Sequence, residues 1–185
     1  MCHASVLSFG PRALVEAHVA RATVLEVGSL NVNGSLRRHV EALRPASYVG
    51  VDFRAGPGVD LIRDATDADF PAKVGGPFDL VVCTEVLEHV LDWRAAVRNI
   101  KACVRPGGRL LVTTRSLGFH LHEYPGDHWR YELSDMERIF ADFSIELLES
   151  DPQAPGVFLY ATSTGAPQAD LSGVRLYSMQ SRERC

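Results

Sequence analysis

Short apolar runs alternate with stretches of helical period along this chain. The apolar runs are rich in β-branched residues and bounded by Gly, Pro or polar residues, a pattern typical of strands buried on both faces. They occupy residues 24–28, 48–52, 78–85 and 108–114. The stretches at 36–43 and 93–104 repeat apolar residues at the spacing of one helix face. This alternation predicts an α/β fold with a mostly parallel sheet and helices on both faces.

The two ends of the pattern differ from its middle. Residues 1–20 predict an N-terminal helix that packs near the ligand-binding edge of the sheet. Ser134 is a candidate N-cap for a later helix. Two apolar runs, 144–150 and 156–164, flank a Pro-containing turn and predict a closing hairpin.

Size and composition agree with a single domain. The chain has 185 residues, 46% of them hydrophobic and 23% charged, enough for a full core. We expect one domain over 1–164, followed by a tail at 165–185 that the pattern does not place. No apolar run approaches the roughly 20 residues that a membrane-spanning helix needs, and the first residues do not resemble a secretory signal. The prediction is therefore a cytoplasmic protein without a membrane partner.

Charge and cysteine content narrow the function classes further. The formal net charge of -4 argues against a nucleic-acid partner, which normally requires a basic face. The cysteines form no CxxC pair, and two of them, Cys83 and Cys103, lie in apolar segments. Such cysteines usually fill space in a core.

Candidate chemistry lies just after the predicted strands. In an open parallel sheet, ligands bind outside the carboxyl ends of the strands. Gly28 and Gly34 flank a polar turn after the first strand, where glycine lets the backbone approach a ligand, although a plain strand-to-helix turn also needs glycine. Asp52 ends the second strand, where an acid can accept hydrogen bonds from ribose hydroxyls. Asp64 follows the next apolar run and has the chemistry to bind an adenine amino group.

Four segments carry a family resemblance: VLEVGSLNVNG, YVGVDFRAGPGVDLIRDA, FDLVVCTEVLEHVLDWRAAVRNIKACVRPGGRLLVTT and HEYPGDHWRY. With them the chain resembles a small class I S-adenosylmethionine-dependent methyltransferase, over roughly residues 22 to 143. The most specific feature is EVLEHV followed by a helix, RPGG and an apolar strand. The resemblance implies a Rossmann-like, seven-stranded, mostly parallel sheet with an antiparallel C-terminal hairpin strand. It also implies S-adenosyl-L-methionine as cofactor and a small-molecule substrate.

The resemblance also implies a set of cofactor-binding residues. They are Glu26, Gly28, Ser29, Asn31, Asp52, Phe53, Asp64, Ala65, Thr84 and Glu85. In this set Asp52 holds the ribose, Phe53 lies against the adenine and Asp64 binds its amino group. The chain departs from the family pattern after the first strand, where Ser-Leu-Asn-Val-Asn replaces a glycine-rich run. Asn31 and Asn33 tolerate left-handed backbone better than most residues, so we expect the turn to form.

A loop at residues 116–131 is dense in polar and aromatic groups and carries the family pattern HxxPxDxWR. Histidine titrates near neutrality and is a common general base. The candidate catalytic residues are His89, His120 and His122, and the candidate substrate-binding residues are Tyr124, Asp127 and Arg130. Two alternatives stay open for this loop. Asp127 and Arg130 could pair internally while Trp129 fixes the loop, and His120, His122 and Asp127 could instead hold a metal, although we expect none.

The expected function is methyl transfer to a small molecule, at oxygen rather than at nitrogen. The cationic and imidazole groups of the loop would suit an anionic acceptor that bears a carboxylate, phosphonate or phosphate. An NAD(P)-binding module would need a GxGxxG fingerprint, which the sequence lacks. A non-catalytic methyltransferase-like scaffold remains an alternative because the glycine loop is altered. A homo-oligomer whose partner chain completes the lid is a further expectation.

Overall fold

A seven-stranded sheet in the order β3-β2-β1-β4-β5-β8-β7 forms the centre of the computed structural model, which describes residues 4–122 and 126–185. Its strands are β1 (Thr23–Val27), β2 (Ser47–Asp52), β3 (Leu61–Ile62), β4 (Phe78–Thr84), β5 (Val104–Arg115), β7 (Phe143–Ser150) and β8 (Gly156–Ser163). The pairs from β3 to β5 are parallel, whereas β8 is antiparallel to both β5 and β7. This confirms the predicted fold class and the closing hairpin.

Helices cover both faces of the sheet. They are α1 (Ala4–Ala13), α2 (Glu16–Val19), α3 (Arg37–Ala42), α4 (Phe70–Lys73), α5 (Trp93–Ala102) and α6 (Leu133–Ile139), with a 3₁₀ turn at Leu87–His89. Neighbouring strand residues point to opposite faces, and both faces are buried. Val24 packs in the layer with α1, whereas Leu25 packs in the layer with α5. This double burial explains why the strands are apolar at successive positions. Across the described residues, none of these helices has the length and apolar character that crossing a bilayer requires.

Two predicted helix boundaries differ from the structure. The segment predicted as one helix over 1–20 contains two helices, α1 and α2, separated at Leu14 and Val15. The N-cap prediction of Ser134 is wrong, because α6 begins at Leu133 and its N-cap is Glu132, two residues earlier than predicted. The Glu132 side chain accepts from the Asp135 backbone, and the Asp135 carboxylate accepts from the Glu132 N–H at 2.9 Å. This reciprocal capping box satisfies two backbone N–H groups at the start of α6.

The tail packs against the domain. Leu171, Val174 and Leu176 are buried in the same core cluster as α5. Arg94 fixes this path by donating to the Val174 carbonyl at 2.7 Å. Strand β9 (Tyr177–Ser178) then pairs antiparallel with β6 (Trp129–Arg130) in a second, two-stranded sheet. The tail therefore supports the last residues of the predicted substrate-side loop.

Candidate active site

A cleft of about 690 Å³ opens at the carboxyl ends of β1, β2 and β4. Strand order reverses beside β1, because β2 lies on one side and β4 on the other. That is the switch point where ligands bind in open α/β sheets. The cleft is lined by Val27, Gly28, Leu30, Val32, Val51, Asp52, Phe53, Arg54, Arg63, Asp64, Ala65, Thr66, Glu85, Val86, His89, Val90, Leu91 and Asp92. Six predicted cofactor residues and His89 thus meet at one site.

Gly28 forms the floor of the turn after β1. Its φ of 79° lies in the left-handed region, and a Cβ placed there would come within 2.0 Å of Val86 Cγ2. Both reasons require glycine at this position. The Gly28 and Ser29 N–H groups donate to the Val51 carbonyl at 2.8 and 3.0 Å, which ties the turn to β2. The buried Ser29 side chain lies outside the cleft lining.

Asn31 continues the turn between Gly28 and Gly34. Its N–H donates to the Pro57 carbonyl at 2.8 Å, and its side-chain oxygen accepts from the Gly34 N–H at 3.0 Å. The exposed Asn31 side chain therefore shapes the loop, and among the described residues it is not part of the cleft wall. The Gly58 backbone passes close to this turn. A Cβ placed on Gly58 would lie 2.6 Å from the Ser29 carbonyl oxygen. This close crossing was not evident from the sequence.

Glu26 lies one residue before the cleft wall and is 2% exposed. Its carboxylate accepts from the Tyr48 hydroxyl at 2.7 Å and from the Ser35 hydroxyl at 3.3 Å. Burial raises the pKa of Glu26 to about 7, even though these two hydrogen bonds lower it. Because Ser35 follows the glycine turn, this carboxyl group holds the turn against β2 from behind.

Asp52 and Asp64 face the cleft with acceptor capacity to spare. The Asp52 oxygens accept from the Arg54 N–H at 3.0 Å and the Leu30 N–H at 3.4 Å. One Asp64 oxygen accepts from the Thr66 N–H and hydroxyl, at 2.8 and 2.7 Å. Each carboxylate oxygen has two lone pairs, so both groups can still accept from a ligand. The backbone donors fix where those lone pairs point.

Phe53 and Ala65 lie on the same side of the cleft as these acids. The Phe53 ring is 54% exposed, with the Arg54 guanidinium 4.8 Å from its centroid. An exposed aromatic ring beside an apolar methyl group is a suitable platform for a flat heterocycle.

Glu85 turns the chain at the end of β4 and has an uncommon φ of 55°. Its carboxylate accepts from the Thr113 hydroxyl at 2.8 Å and pairs with the Arg115 guanidinium. Burial and the Glu88 carboxylate raise the pKa of Glu85, against the effect of Arg115. Arg115 also pairs with Asp151 at 3.1 Å. The sequence did not reveal this buried pairing, because its members come from three separate strands and turns. The predicted neighbour Thr84 is buried at the end of β4.

Asp127 and Arg130 bind each other. The guanidinium contacts both carboxylate oxygens, with Nη2 to Oδ2 at 2.6 Å, and Arg130 is fully buried. Arg130 also donates to the Phe119 and His120 carbonyls. Burial acts to raise the pKa of Asp127, but hydrogen bonds from Arg130 and the His122 N–H hold it below its usual value. The structure thus places these two predicted substrate-binding residues in the internal pair, outside the cleft lining. Tyr124, the third, lies outside the described residues.

The three candidate catalytic histidines occupy different positions. His89 lines the cleft, and its Nε2 lies 3.2 Å from His122 Nε2. Burial lowers the pKa of His122. His120 is exposed and stacks on Phe119 at a centroid distance of 4.4 Å. Asp127 is bound by Arg130, so the predicted alternative metal set of His120, His122 and Asp127 is not assembled. A different set of donors is close together: Glu88, His89 and His122.

The sequence matches a known protein family over most of its length. The model of the methyltransferase domain family matches residues 4–149. The chain belongs to this family. The resemblance to class I S-adenosylmethionine-dependent methyltransferases is thereby confirmed, and the NAD(P)-binding alternative loses its basis.

The matches to curated relatives cover only part of this chain. The ubiquinone biosynthesis O-methyltransferases of Pseudomonas paraeruginosa and Chromobacterium violaceum are each 32% identical to it over 111 residues. Each match takes in 53% of this chain and 46% of the relative. The chain therefore spans about half the length of the curated relatives it matches.

Solved structures agree on the fold. An S-adenosylmethionine-dependent methyltransferase from Mesorhizobium loti gives a TM-score of 0.64 at 15% identity, covering 86% of this chain and 98% of that one. The 1,6-didemethyltoxoflavin-N1-methyltransferase of Burkholderia thailandensis was solved with 1,6-didemethyltoxoflavin and S-adenosylhomocysteine bound. It gives a TM-score of 0.61 at 16% identity, covering 90% and 80%.

Proposed function

We propose that this chain binds S-adenosylmethionine in the cleft and transfers its methyl group to an oxygen of a small-molecule acceptor. The observation that carries the proposal is the Asp52 carboxylate, held by two backbone N–H groups at the end of β2 and beside the Gly28 turn. A carboxylate in this position can accept from both ribose hydroxyls. Oxygen as the acceptor atom is supported by the names of the partial relatives.

The cleft divides into parts that suit the cofactor. Phe53, Asp64 and Ala65 form a platform and an acceptor for adenine on one side of Asp52. On the other side, Gly28 and Glu85 bring backbone close to where the methionine half would lie. In this arrangement Glu26, Ser29 and Asn31 serve the cofactor by shaping the turn. When bound, the cofactor supplies an electrophilic methyl group, and the protein's work is alignment, which can contribute roughly 7–11 kcal/mol.

The acceptor would enter beside His89, near His122 and the loop that carries His120. We propose that an anionic or hydroxyl-bearing acceptor meets these imidazoles, because the Arg130 charge is already neutralised by Asp127. His89 is the candidate base with the most direct access, since it lines the cleft.

The test is calorimetric titration of the full chain with S-adenosylhomocysteine, with NADH as the control ligand. We expect one-to-one binding that Asp52→Asn weakens at least tenfold, because hydrogen bonds to a charged group contribute about 1.5–3 kcal/mol. Asp69→Asn is the matched control, since Asp69 is an exposed acid that pairs with Lys73 away from the cleft. Absence of binding, or equal binding by both variants, would refute the cofactor proposal and favour the scaffold alternative.

A further inference from the structure

Three donor atoms converge at the lip of the cleft. They belong to Glu88, His89 and His122 and lie within 4.8 Å of one another. His89 Nε2 is 3.2 Å from His122 Nε2 and 3.9 Å from Glu88 Oε1. A tetrahedral zinc ion with ligand bonds of about 2.0–2.1 Å would hold its donor atoms about 3.3–3.4 Å apart. Only small side-chain adjustments separate the observed positions from such a shell.

The Nδ1 atoms of His89 and His122 point away from the space between the two Nε2 atoms and have their own neighbours. His89 Nδ1 contacts the Gly126 carbonyl oxygen, which can only accept, so this nitrogen carries the proton. His122 Nδ1 lies 3.0 Å from Asp127 Oδ2 but makes no hydrogen bond within the described part of the chain. With its proton on Nδ1, His89 directs the Nε2 lone pair toward His122 Nε2, 3.2 Å away, as a ligand of a shared cation must. Carbonyl and carboxylate partners on the far nitrogen are also the usual outer contacts of metal-binding histidines.

Glu88 supplies an independent reason for a cation. The side chain is 1% exposed, and its Oε2 accepts from the Thr114 hydroxyl at 2.8 Å. Its Oε1 is buried without a hydrogen-bond partner among the described residues and is the atom that approaches His89. A buried carboxylate oxygen without a partner is costly. The Glu88 backbone is fixed as well, since its carbonyl accepts from the His128 N–H at 2.8 Å.

We propose that Glu88, His89 and His122 bind a divalent transition-metal ion, of the zinc or cobalt(II) type, beside the acceptor end of the cleft. Two imidazoles and one carboxylate suit such ions better than Mg²⁺ or Ca²⁺, which prefer oxygen ligands. Three protein ligands leave positions open for an exogenous group, as in catalytic metal sites.

The role of the ion rests on the proposed function. Because His89 also lines the cleft, an acceptor hydroxyl could occupy an open position of the ion, which would lower its pKa. With the ion bound, His89 would act as its ligand and not as the base, and the hydroxyl proton would pass to solvent. The oxygen would then form its bond to the methyl carbon as the sulfur–methyl bond breaks, and the sulfur would keep that bond's electron pair, leaving neutral S-adenosylhomocysteine. The substrate class indicated is a hydroxylated, metal-chelating small molecule.

The experiment titrates Co²⁺, and separately Zn²⁺, into EDTA-treated full-length chain, followed by calorimetry and by visible absorption of the cobalt form. We expect one equivalent to bind with micromolar or tighter affinity. Glu88→Gln, which preserves shape, and His122→Ala should each weaken binding at least tenfold. His120→Ala is the matched control, because this exposed histidine lies two residues from His122 and outside the proposed set, and its binding should be unchanged. Circular dichroism and the melting temperature show whether each variant is folded.

Two results would overturn the metal site: no saturable metal binding by the folded wild type, or equal loss in the His120 and Glu88 variants. Titration with S-adenosylhomocysteine in EDTA separates this inference from the proposed function. Cofactor binding without metal binding would refute the metal site alone. Metal binding without cofactor binding would refute the proposed function and leave the metal site standing.

Discussion

Replacement of Gly28 by alanine tests how the turn forms the floor of the cleft. At φ 79° an L-residue costs about 1–2 kcal/mol relative to glycine. The new Cβ would also come within 2.0 Å of Val86 Cγ2, whereas carbon atoms in contact prefer about 3.5–4.0 Å. Relieving such an overlap typically costs a further 1–3 kcal/mol or so. We therefore expect Gly28→Ala to lower the free energy of unfolding by about 2–5 kcal/mol.

A double-mutant cycle with Val86→Ala separates the two contributions. Truncation of Val86 removes Cγ2, and the next atom of that side chain, Cβ, lies 3.4 Å from the position of the new alanine methyl group, an ordinary contact. The double variant should thus recover the steric part and retain only the backbone cost of about 1–2 kcal/mol. The expected coupling energy between the two sites is favourable by about 1–3 kcal/mol.

The assay is urea unfolding of the wild type, both single variants and the double variant, with S-adenosylhomocysteine affinity measured on the same samples. Cofactor affinity should follow the same order, because Gly28 and Val86 both line the cleft. Strict additivity of the two substitutions in stability would refute the close Gly28–Val86 contact. A Gly28→Ala variant as stable as the wild type would refute the left-handed turn.

Two further predictions concern the support of the site. Glu26→Gln should flatten the pH dependence of stability. The pKa of Glu26 is about 7 in the folded chain and 4.5 ordinarily. The protonated group therefore contributes fully to the free energy of unfolding below pH 4.5. As the pH rises toward 7 this contribution is lost, which lowers the free energy of unfolding by about 3 kcal/mol. Deletion of residues 170–185 should lower the free energy of unfolding by at least about 4 kcal/mol, since it exposes core surface and removes three apolar side chains worth about 1.5–3 kcal/mol each. These are Leu171, Val174 and Leu176.

Urea unfolding at several pH values measures the first effect, and thermal or urea unfolding at one pH measures the second. Parallel pH profiles for the wild type and Glu26→Gln would show that the carboxyl group titrates normally in the folded chain. A tail deletion that unfolds at the same urea concentration as the full chain would contradict the burial of its three apolar side chains.

The sheet was predictable because its central strands are buried on both faces. Leu25 and Val24 pack into different layers, so the strand must be apolar throughout, and such a run is visible in one sequence. The tail was not predictable for the converse reason. Its buried residues, such as Leu171 and Leu176, are isolated among polar neighbours and have neither the period of a strand nor that of a helix.

The cleft was predictable where residues act next to their own strand end, as Gly28 and Asp52 do. It was not predictable where a role depends on distant partners. The EVLEHV segment identified Glu85 and His89. The proposed role of Glu88 in metal binding depends on His122 as well, which lies 33 residues beyond His89. Local sequence cannot show which acid in such a segment faces a histidine and which faces Arg115.

The loop at residues 116–131, predicted to face the substrate, influences the cleft through the turn that it contacts. Three donors of this segment bind carbonyl groups in the turn after β4. The His128 N–H donates to the Glu88 carbonyl and the Trp129 indole N–H to the Val90 carbonyl. The Tyr131 hydroxyl donates to the Leu87 carbonyl. The tail adds a second layer, since the Met179 N–H donates to the His128 carbonyl at 2.8 Å. These contacts fix the backbone beside His89 without placing any loop side chain of 128–131 in the cleft lining. Acceptor selection is therefore expected to respond to this segment mainly through the position of His89, whose ring is the point where loop, turn and cleft meet.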